Sequence, residues 1–228
     1  MRFALTALLA LLLPLSAHAQ QKETDRANNA VRVLSEVLDI PEESIPERLL
    51  SEAEAVAVLP DVVKAGLVFG GRGGKGLISV RSSDGTWSNP SYITLAGGSF
   101  GFQAGVQAAD VVLVFRTRRG VDNIVNGKFT LGADASIAAG PIGRSAQAST
   151  DGRLEAEIYS YSRARGLFAG VALDGAVIAI DNRANRRAYG RDVTARMILE
   201  NRARPQLGAV VSFRDKLEEA SARAAERR

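Results

Sequence analysis

The sequence predicts an α+β domain. A strongly curved, mostly antiparallel, glycine-rich sheet packs against N-terminal and C-terminal helices. A partly closed barrel is the most curved form that this sheet could take. Helical periodicity occurs near both ends of the chain, whereas residues 55–180 alternate small and apolar residues, with glycine at every few positions. Glycine is normally avoided inside strands because it adds flexibility and packs nothing. Its repetition therefore indicates a sheet that bends sharply, or a backbone that another molecule approaches closely.

Residues 1–19 have the pattern of a secretory signal peptide. Arg2 precedes an apolar run from Phe3 to Leu15, and the small-x-small triplet Ala17-His18-Ala19 marks a cleavage site. The apolar run is too short to span a membrane. We therefore expect cleavage after Ala19 and export, in the bacterial style, to the periplasm. The chain has no cysteine, so no lipoprotein anchor is expected.

Composition excludes several catalytic and metal-binding chemistries. The chain has no cysteine and one histidine, His18, which cleavage after Ala19 would remove. Thiol nucleophiles, disulfides, Ser-His-Asp triads, Cys-His pairs and the usual zinc sites therefore cannot be built from the mature chain. The sequence predicts no cofactor.

The N-terminal elements follow from hydrophobic periodicity and capping signals. Lys22 to Leu38 has the apolar spacing of an amphipathic helix. Ser44 to Glu47 has the spacing of a capping box and predicts a second helix that runs to Ala53. Ala55 to Leu59 is an apolar run that reads as a strand, and Pro60 is expected to end it.

Glycine-rich strands are predicted from there to about Ile180. Residues 64–84 and 165–181 share one pattern: a basic residue, Gly-Leu, Phe, spaced glycines, an apolar run and an Asp. We treat them as two related glycine blocks; that they pair in space is one hypothesis, and the alternative is that their basic residues simply point to water at strand starts. Further signals are hairpin turns at Asp84-Gly85 and Asp151-Gly152, a helical turn at 121–125, a helix at 193–202 and a last helix from Gln206.

Charge is distributed unevenly along the chain. Residues 183–228 contain twelve basic and six acidic residues, and residues 64–119 contain seven basic and two acidic residues. Such asymmetry indicates an anionic partner: a lipid headgroup, another envelope polymer or nucleic acid. A simply solvated surface is the alternative.

Three local sequence patterns suggest candidate chemistries. Residues 71–76 fit the dinucleotide fingerprint, but a strand pattern follows instead of the helix that the fingerprint requires. Ser99 lies in a Gly-x-Ser-x-Gly match that has no histidine base. We interpret this segment as a tight turn between two strands, with a Ser-Lys hydrolase as a remote alternative. Asp110, Asp134, Asp174 and Asp181 are interpreted as residues that cap turns or accept from backbone amides, with acid-base chemistry or cation binding as the less favoured alternative.

Four long segments together carry a resemblance to a known family: LPDVVKAGLVFGGRGGKG, DGTWSNPSYITLAGGSFGFQAGVQAADVVLVF, GKFTLGADASIAAGPIGR and YSYSRARGLFAGVALDG. The chain resembles the SYLF domain family over roughly Ala30 to Leu199. This resemblance implies a lipid-binding module. Eukaryotic members bind phosphoinositides and some bind actin, whereas bacterial members are exported proteins thought to bind phospholipid. The predicted organisation is a signal peptide at 1–19, a SYLF-like lipid-binding domain at 20–200 and a basic C-terminal helix or tail at 201–228.

The residues themselves allow a lipid-binding mechanism. Candidate lipid-binding residues are the cations that flank the two glycine blocks and two glycines whose amides would approach a phosphate: Lys64, Arg72, Gly73, Gly74, Lys75, Arg163 and Arg165. If the blocks pair, the five cations converge on one headgroup, and each contributes about 1 kcal/mol near an anionic surface.

We therefore predict non-catalytic binding of anionic phospholipid in the bacterial envelope, with no nucleic-acid partner. The alternatives are an envelope scaffolding protein that uses its basic tail and, less favoured, a hydrolase that uses Ser99.

Overall fold

The computed structural model describes residues 2–39, 45–66, 69–100, 105–141, 156–164, 167–171 and 173–226, and for residues 2–19 only the helical backbone. The helices are α1 Arg2–Asp39, α2 Glu47–Ser51, α3 Arg118–Asn126, α4 Asn182–Tyr189, α5 Ala195–Leu199 and α6 Gly208–Glu226. The strands are β1 Ala55–Gly66, β2 Phe69–Val80, β3 Ser91–Phe100, β4 Gly105–Phe115, β5 Lys128–Thr130, β6 Ile137–Ala139, β7 Ile158–Ala164, β8 Leu167–Gly170 and β9 Val177–Ile180.

The strands form one curled half-barrel, which confirms the predicted α+β class. Their order is β5-β9-β3-β2-β1-β4-β7-β6, with β8 paired to β7. Every strand pair is antiparallel except β6 with β7. The four longest strands, β1 to β4, are adjacent and form the centre of the sheet.

Near the Ala55 end of β1, apolar side chains cover both faces of the sheet. One face, which we call the helix face, carries Val58, Leu77 and Tyr92 and packs in one cluster with α1, α2, α4 and α6. The second face carries Leu59 and Ile78 and packs against α3 and the residues around β5. Burial on both sides explains why these strand segments read as nearly continuous apolar runs.

The terminal helices pack against each other in the helix-face cluster. The predicted amphipathic helix at Lys22 to Leu38 is confirmed within α1, where Ala27, Ala30, Val33, Leu34 and Val37 are fully buried. On α6, Phe213 and Leu217 are buried in the same cluster. The C-terminal segment is thus an integral helix of the domain rather than an extended basic arm.

Pro60 does not end the first strand, contrary to the prediction. β1 continues to Gly66, and its pairing shifts register between Val58 and Val63 against β2 and between Leu59 and Val62 against β4. Asp61 has a positive φ of 50° in this bulge, and its N–H donates to Asp110 Oδ1 at 3.0 Å. Proline is tolerated here because a bulge leaves a residue outside the hydrogen-bond ladder.

Other boundaries differ for local reasons. The helical turn predicted at 121–125 is the nine-residue helix α3. The sequence interpretation missed α4, which begins after Asp181, whose side chain accepts from the Ala184 N–H. Helix α2 has Pro46 at its N-cap and no side-chain cap; Ser44, like the turn at Asp151-Gly152, lies outside the described residues. The Asp84-Gly85 turn is confirmed, with Gly85 at a φ of 88°.

Glycines in β2 have different structural roles. A Cβ added at Gly76 would lie 2.0 Å from the carbonyl oxygen of Val58, so only glycine allows β2 to approach the bulged strand this closely. A Cβ at Gly73 would meet nothing nearer than the carbonyl oxygen of Leu95 at 3.8 Å. Strand packing thus requires glycine at one position and not at the other.

We therefore expect Gly76→Ala to lower the free energy of unfolding by about 3 kcal/mol or more, because a backbone clash cannot relax by a rotamer change. The matched control Gly73→Ala is expected to change it by less than about 1 kcal/mol. Urea unfolding of both variants measures the difference, and equal stabilities would contradict the assigned close approach.

Candidate functional site

Beyond the bulge of β1, the helix face of the central strands continues without cover. We call this region the open patch. It consists of eight small or apolar residues, two from each of the four central strands, that cross-strand pairing places side by side: Val63, Ala65, Gly71, Gly73, Ala96, Gly98, Val106 and Ala108. All eight are exposed.

Two valines project from the open patch. Val63 is 41% exposed and Val106 is 74% exposed, and no other large apolar side chain is exposed in the part of the chain whose side chains are described. Val63 pairs with Ala108, and Val106 pairs with Ala65, so the valines are diagonal neighbours on adjacent strands. Such neighbours are within about 8 Å of each other. The exposed bulky apolar surface is therefore concentrated at one place.

The glycines of the open patch are not required by the fold. A Cβ at Gly71 or Gly73 would meet no atom nearer than 3.8 Å, and one at Gly98 would meet nothing within 4 Å. None of the three has a positive φ. Neither packing nor backbone conformation accounts for glycine here. Its effect is to leave these three positions of the surface without side chains.

The proposed role of the Gly73 and Gly74 amides does not fit this geometry. Gly73 is paired to Val63 of β1 and to Ala96 of β3, and Gly74 is paired to Leu95 of β3, whereas the bulge interrupts its pairing with β1. Both glycines lie in an extended strand, which does not form an anion-binding nest. Gly74 serves packing, because a Cβ there would lie 2.6 Å from Val62 Cγ2.

The five candidate cations do not converge on one point. Lys64 and Arg72 are direct cross-strand partners, half-buried on the second face of the sheet, whereas Lys75 is exposed on the helix face. Arg163 lies on β7 and forms an ion pair with Glu36 of α1, and Arg165 lies outside the described residues.

The hypothesis that the two glycine blocks pair in space was therefore wrong. Strand β3 separates β2 from β9, and strands β1, β4 and β7 separate β2 from β8. Similar sequence patterns can arise in strands that never meet, because each pattern reflects only the packing around its own strand.

Lys75 lies in a cleft of about 390 Å³ between α1 and the bulge of β1. The residues around it are Lys22, Asp25, Arg26, Asn29, Pro60, Asp61 and Gly74. The sequence interpretation missed the contribution of α1. Its signal was the spacing of the four polar α1 residues at i, i+3, i+4 and i+7, which places them on one stripe of the helix.

The wall of this cleft is held by a buried polar network. Arg26 Nη1 donates to Asp181 Oδ2 at 3.1 Å, and its guanidinium lies 5.2 Å from the ring centroid of Tyr92. The Tyr92 hydroxyl donates to the backbone carbonyl of Glu23 at 2.9 Å. Burial raises the pKa of Asp181, but the Ala184 N–H and Arg26 outweigh it, so the net pKa lies below the ordinary value of 3.8. The network ties α1 to β3 and α4.

Three of the four aspartates singled out in the sequence accept from backbone amides, as interpreted. Asp110 accepts from the Asp61 N–H, Asp134 from the Thr130 N–H and Asp181 from the Ala184 N–H. Among the described residues, no group of three carboxylate or histidine side chains has the spacing of a metal site.

Ser99 lies inside β3, opposite Gly70, rather than in the tight turn that the sequence indicated. A nucleophile elbow places its serine at a strand-to-helix turn, which is absent at this position.

In the described part of the chain, no helix is both long and apolar enough to cross a bilayer.

Comparison with known proteins identifies relatives of the whole domain. A family model described as "Las17-binding protein actin regulator" (Ysc84) matches residues 96–220. The chain is 42% identical over 164 residues to LAS seventeen-binding protein 3 of Saccharomyces cerevisiae, covering 71% of this chain and 36% of that protein. It is 36% identical over 179 residues to human SH3 domain-containing YSC84-like protein 1, covering 76% and 52%. The chain thus spans about a third to a half of these relatives.

The polar network predicts an acid-dependent contribution of Asp181 to stability. Because its pKa is lowered by folding, the stabilisation is present above the unfolded pKa of about 4 and is lost as the pH falls through the folded pKa. We expect Asp181→Asn to unfold at least about 1 kcal/mol more easily at neutral pH. Urea unfolding at several pH values should show the gap to wild type closing below about pH 4, and a constant gap would contradict the assignment.

Proposed function

Since the chain belongs to the Ysc84 family, to which its SYLF resemblance also assigned it, we propose that it binds anionic phospholipid headgroups without catalysis. The binding surface is the end of the sheet that carries the open patch. One observation supports this most strongly: residues 62–76 and 94–109, which form this end of four adjacent strands, contain three basic residues and no acidic residue. The relatives are named as binding and regulatory proteins rather than enzymes, which agrees with a binding role.

The separation of the cations over two faces is compatible with one membrane surface. If the end of the sheet meets the membrane edge-on, Lys64 and Arg72 on the second face and Lys75 on the helix face all reach the headgroup layer. Each basic residue near an anionic surface contributes about 1 kcal/mol. Salt screens such attraction, because the Debye length falls to about 8 Å at physiological ionic strength.

Two other functions have less support. In α6, Lys216 and Arg223 both pair with Glu219, and the helix packs into the domain core. The packed position of α6 therefore gives little support to a scaffolding role that needs a free basic tail. A hydrolase that uses Ser99 lacks the strand-to-helix turn of a nucleophile elbow.

We further propose that the protein acts in the bacterial envelope after export. The support is the signal-like pattern of residues 1–19, with a short apolar run before Ala17-His18-Ala19. Among the α1 residues whose side chains are described, the buried stripe runs from Glu23 to Val37, and all of it would remain after cleavage at Ala19.

Neutralising the two lysines tests the binding surface. We expect Lys64→Gln with Lys75→Gln to weaken binding to vesicles that contain phosphatidylglycerol by about 30-fold, since two contributions of about 1 kcal/mol are lost. Co-sedimentation at low and high salt measures this loss, which should shrink as salt rises.

The matched control is Arg183→Gln with Arg186→Gln on α4, which makes the same change in net charge at exposed positions by the Tyr92 end of β3. It should bind within about twofold of wild type if location rather than net charge decides binding. Equal losses in the two double variants would contradict the proposed surface.

The proposed export makes a separate prediction. When the full chain is expressed in a bacterial host, mass spectrometry of the periplasmic fraction should find a mature protein that begins at Gln20. Recovery of the intact chain from Met1 in that fraction would refute cleavage after Ala19.

A further inference from the structure

We infer that the open patch enters the hydrocarbon region of the membrane, so that the protein penetrates the lipid surface instead of resting on its headgroups. This inference rests on the proposed function, because it describes how the same end of the sheet meets phospholipid. The occupant of the open patch is accordingly the acyl interior of an anionic membrane, and the apolar contact adds to the charge attraction.

The first support is the location of the exposed apolar surface. Val63 and Val106 are the exposed large apolar residues of the described chain, and they are diagonal neighbours on one face. Around them the patch presents only alanine and glycine, with no polar side chain among its eight residues. Single exposed valines are ordinary on protein surfaces, but a contiguous apolar patch marks an interaction site.

The second support is the absence of side chains at three positions of the patch. Side chains at Gly71, Gly73 and Gly98 would fit sterically, yet these positions carry none. Acyl chains can therefore lie close to the backbone there. Backbone amides that enter hydrocarbon must already be hydrogen-bonded within the protein. Gly71 and Gly73 of β2 meet this condition, because both are paired to β1 and to β3.

The third support is the position of the charges relative to the patch. With a rise of about 3.3 Å per strand residue, Gly73 and its partner Val63 lie roughly 7 Å beyond Lys75. The row of Gly71, Ala65 and Val106 lies about 13 Å beyond Lys75 when the strands stand upright, and less when they tilt. With Lys75 at the headgroup level and the strands tilted, the valines reach the depth of about 5–10 Å at which interfacial proteins bury apolar surface. Lys64 and Arg72, roughly 10 Å beyond Lys75 on the second face, then reach the headgroups by extending their long side chains back along the sheet.

Charge also favours a membrane over a second copy of the chain. Two open patches facing each other would bring the basic residues of both strand ends together, and residues 62–76 and 94–109 offer no acidic residue to pair with them. An anionic lipid surface provides both the hydrocarbon for the patch and the negative charge for its border.

The chain lacks cysteine, so a single introduced thiol can be labelled cleanly. We propose Val106→Cys in the otherwise unchanged protein, labelled with an environment-sensitive fluorophore, with Ser83→Cys as control. Ser83 is exposed in the turn between β2 and β3, at the opposite end of these strands. The probes are vesicles of phosphatidylglycerol and phosphatidylcholine that carry a nitroxide either on the acyl chain or on the headgroup.

On binding, the label at position 106 should shift to shorter wavelength and be quenched more by the acyl-chain nitroxide than by the headgroup nitroxide. The label at position 83 should stay in water. Vesicle binding by the labelled protein without acyl-chain quenching at 106 would overturn the inference while leaving headgroup binding in place. Absence of vesicle binding by the unlabelled wild type would refute the proposed function itself and the inference with it.

A second variant addresses energetics without a label. Val63→Asn with Val106→Asn replaces two exposed side chains, so the fold and its far-UV circular dichroism should not change. In high salt, where charge attraction is screened, residual vesicle binding should fall about tenfold relative to wild type. Undiminished binding there would overturn the inference. A wavelength shift at 106 that grows with protein concentration in the absence of vesicles would assign the patch to a second copy and overturn it as well.

Discussion

The carboxylate of Asp110 holds the bulge on which the arrangement of the sheet depends. It accepts from the Asp61 N–H, and its second oxygen lies 3.8 Å from Arg32 of α1. The bulge inserts a residue into β1, so side chains that alternate toward the helices before it alternate the other way after it. Val58 thereby faces the helices, whereas beyond the bulge Val63 takes that face and Lys64 turns to the other.

This reversal divides the sheet into a covered half and an uncovered half. Up to the bulge, α1 and α6 bury the helix face. At the bulge, α1 lines the cleft around Lys75, and on the covered side its Arg26 pairs with Asp181 beside Tyr92. The uncovered half can stay exposed without loss of the core, because the buried clusters are complete on the covered side. The buried residues of the helix face thus lie in the covered half, and the uncovered half is exposed.

The charge arrangement has two distinct purposes. Arg163, Arg26 and Arg81 make ion pairs or hydrogen bonds within the domain, and they fix helices to the sheet. Lys64, Arg72 and Lys75 lie toward the end of the sheet where residues 62–76 and 94–109 include no acidic residue, and Lys75 shares its cleft with Asp25 and Asp61 of neighbouring segments. The strand segments at this end therefore carry a net positive charge. The open patch lies at the same end of the sheet.

The sequence by itself determined the α+β class, the amphipathic α1, the glycine-rich strands and the family, because periodicity and long matching segments are local properties of the chain. Its assignment of Lys64, Arg72 and Lys75 to lipid binding stays a prediction. Only the tertiary structure decided which of the cations face each other, that Arg163 is paired to Glu36, and that the α1 stripe at Lys22 and Arg26 lines the cleft. The reason is physical. Strand order and a one-residue bulge set which face a side chain takes, and neither is encoded in the residues of one strand alone.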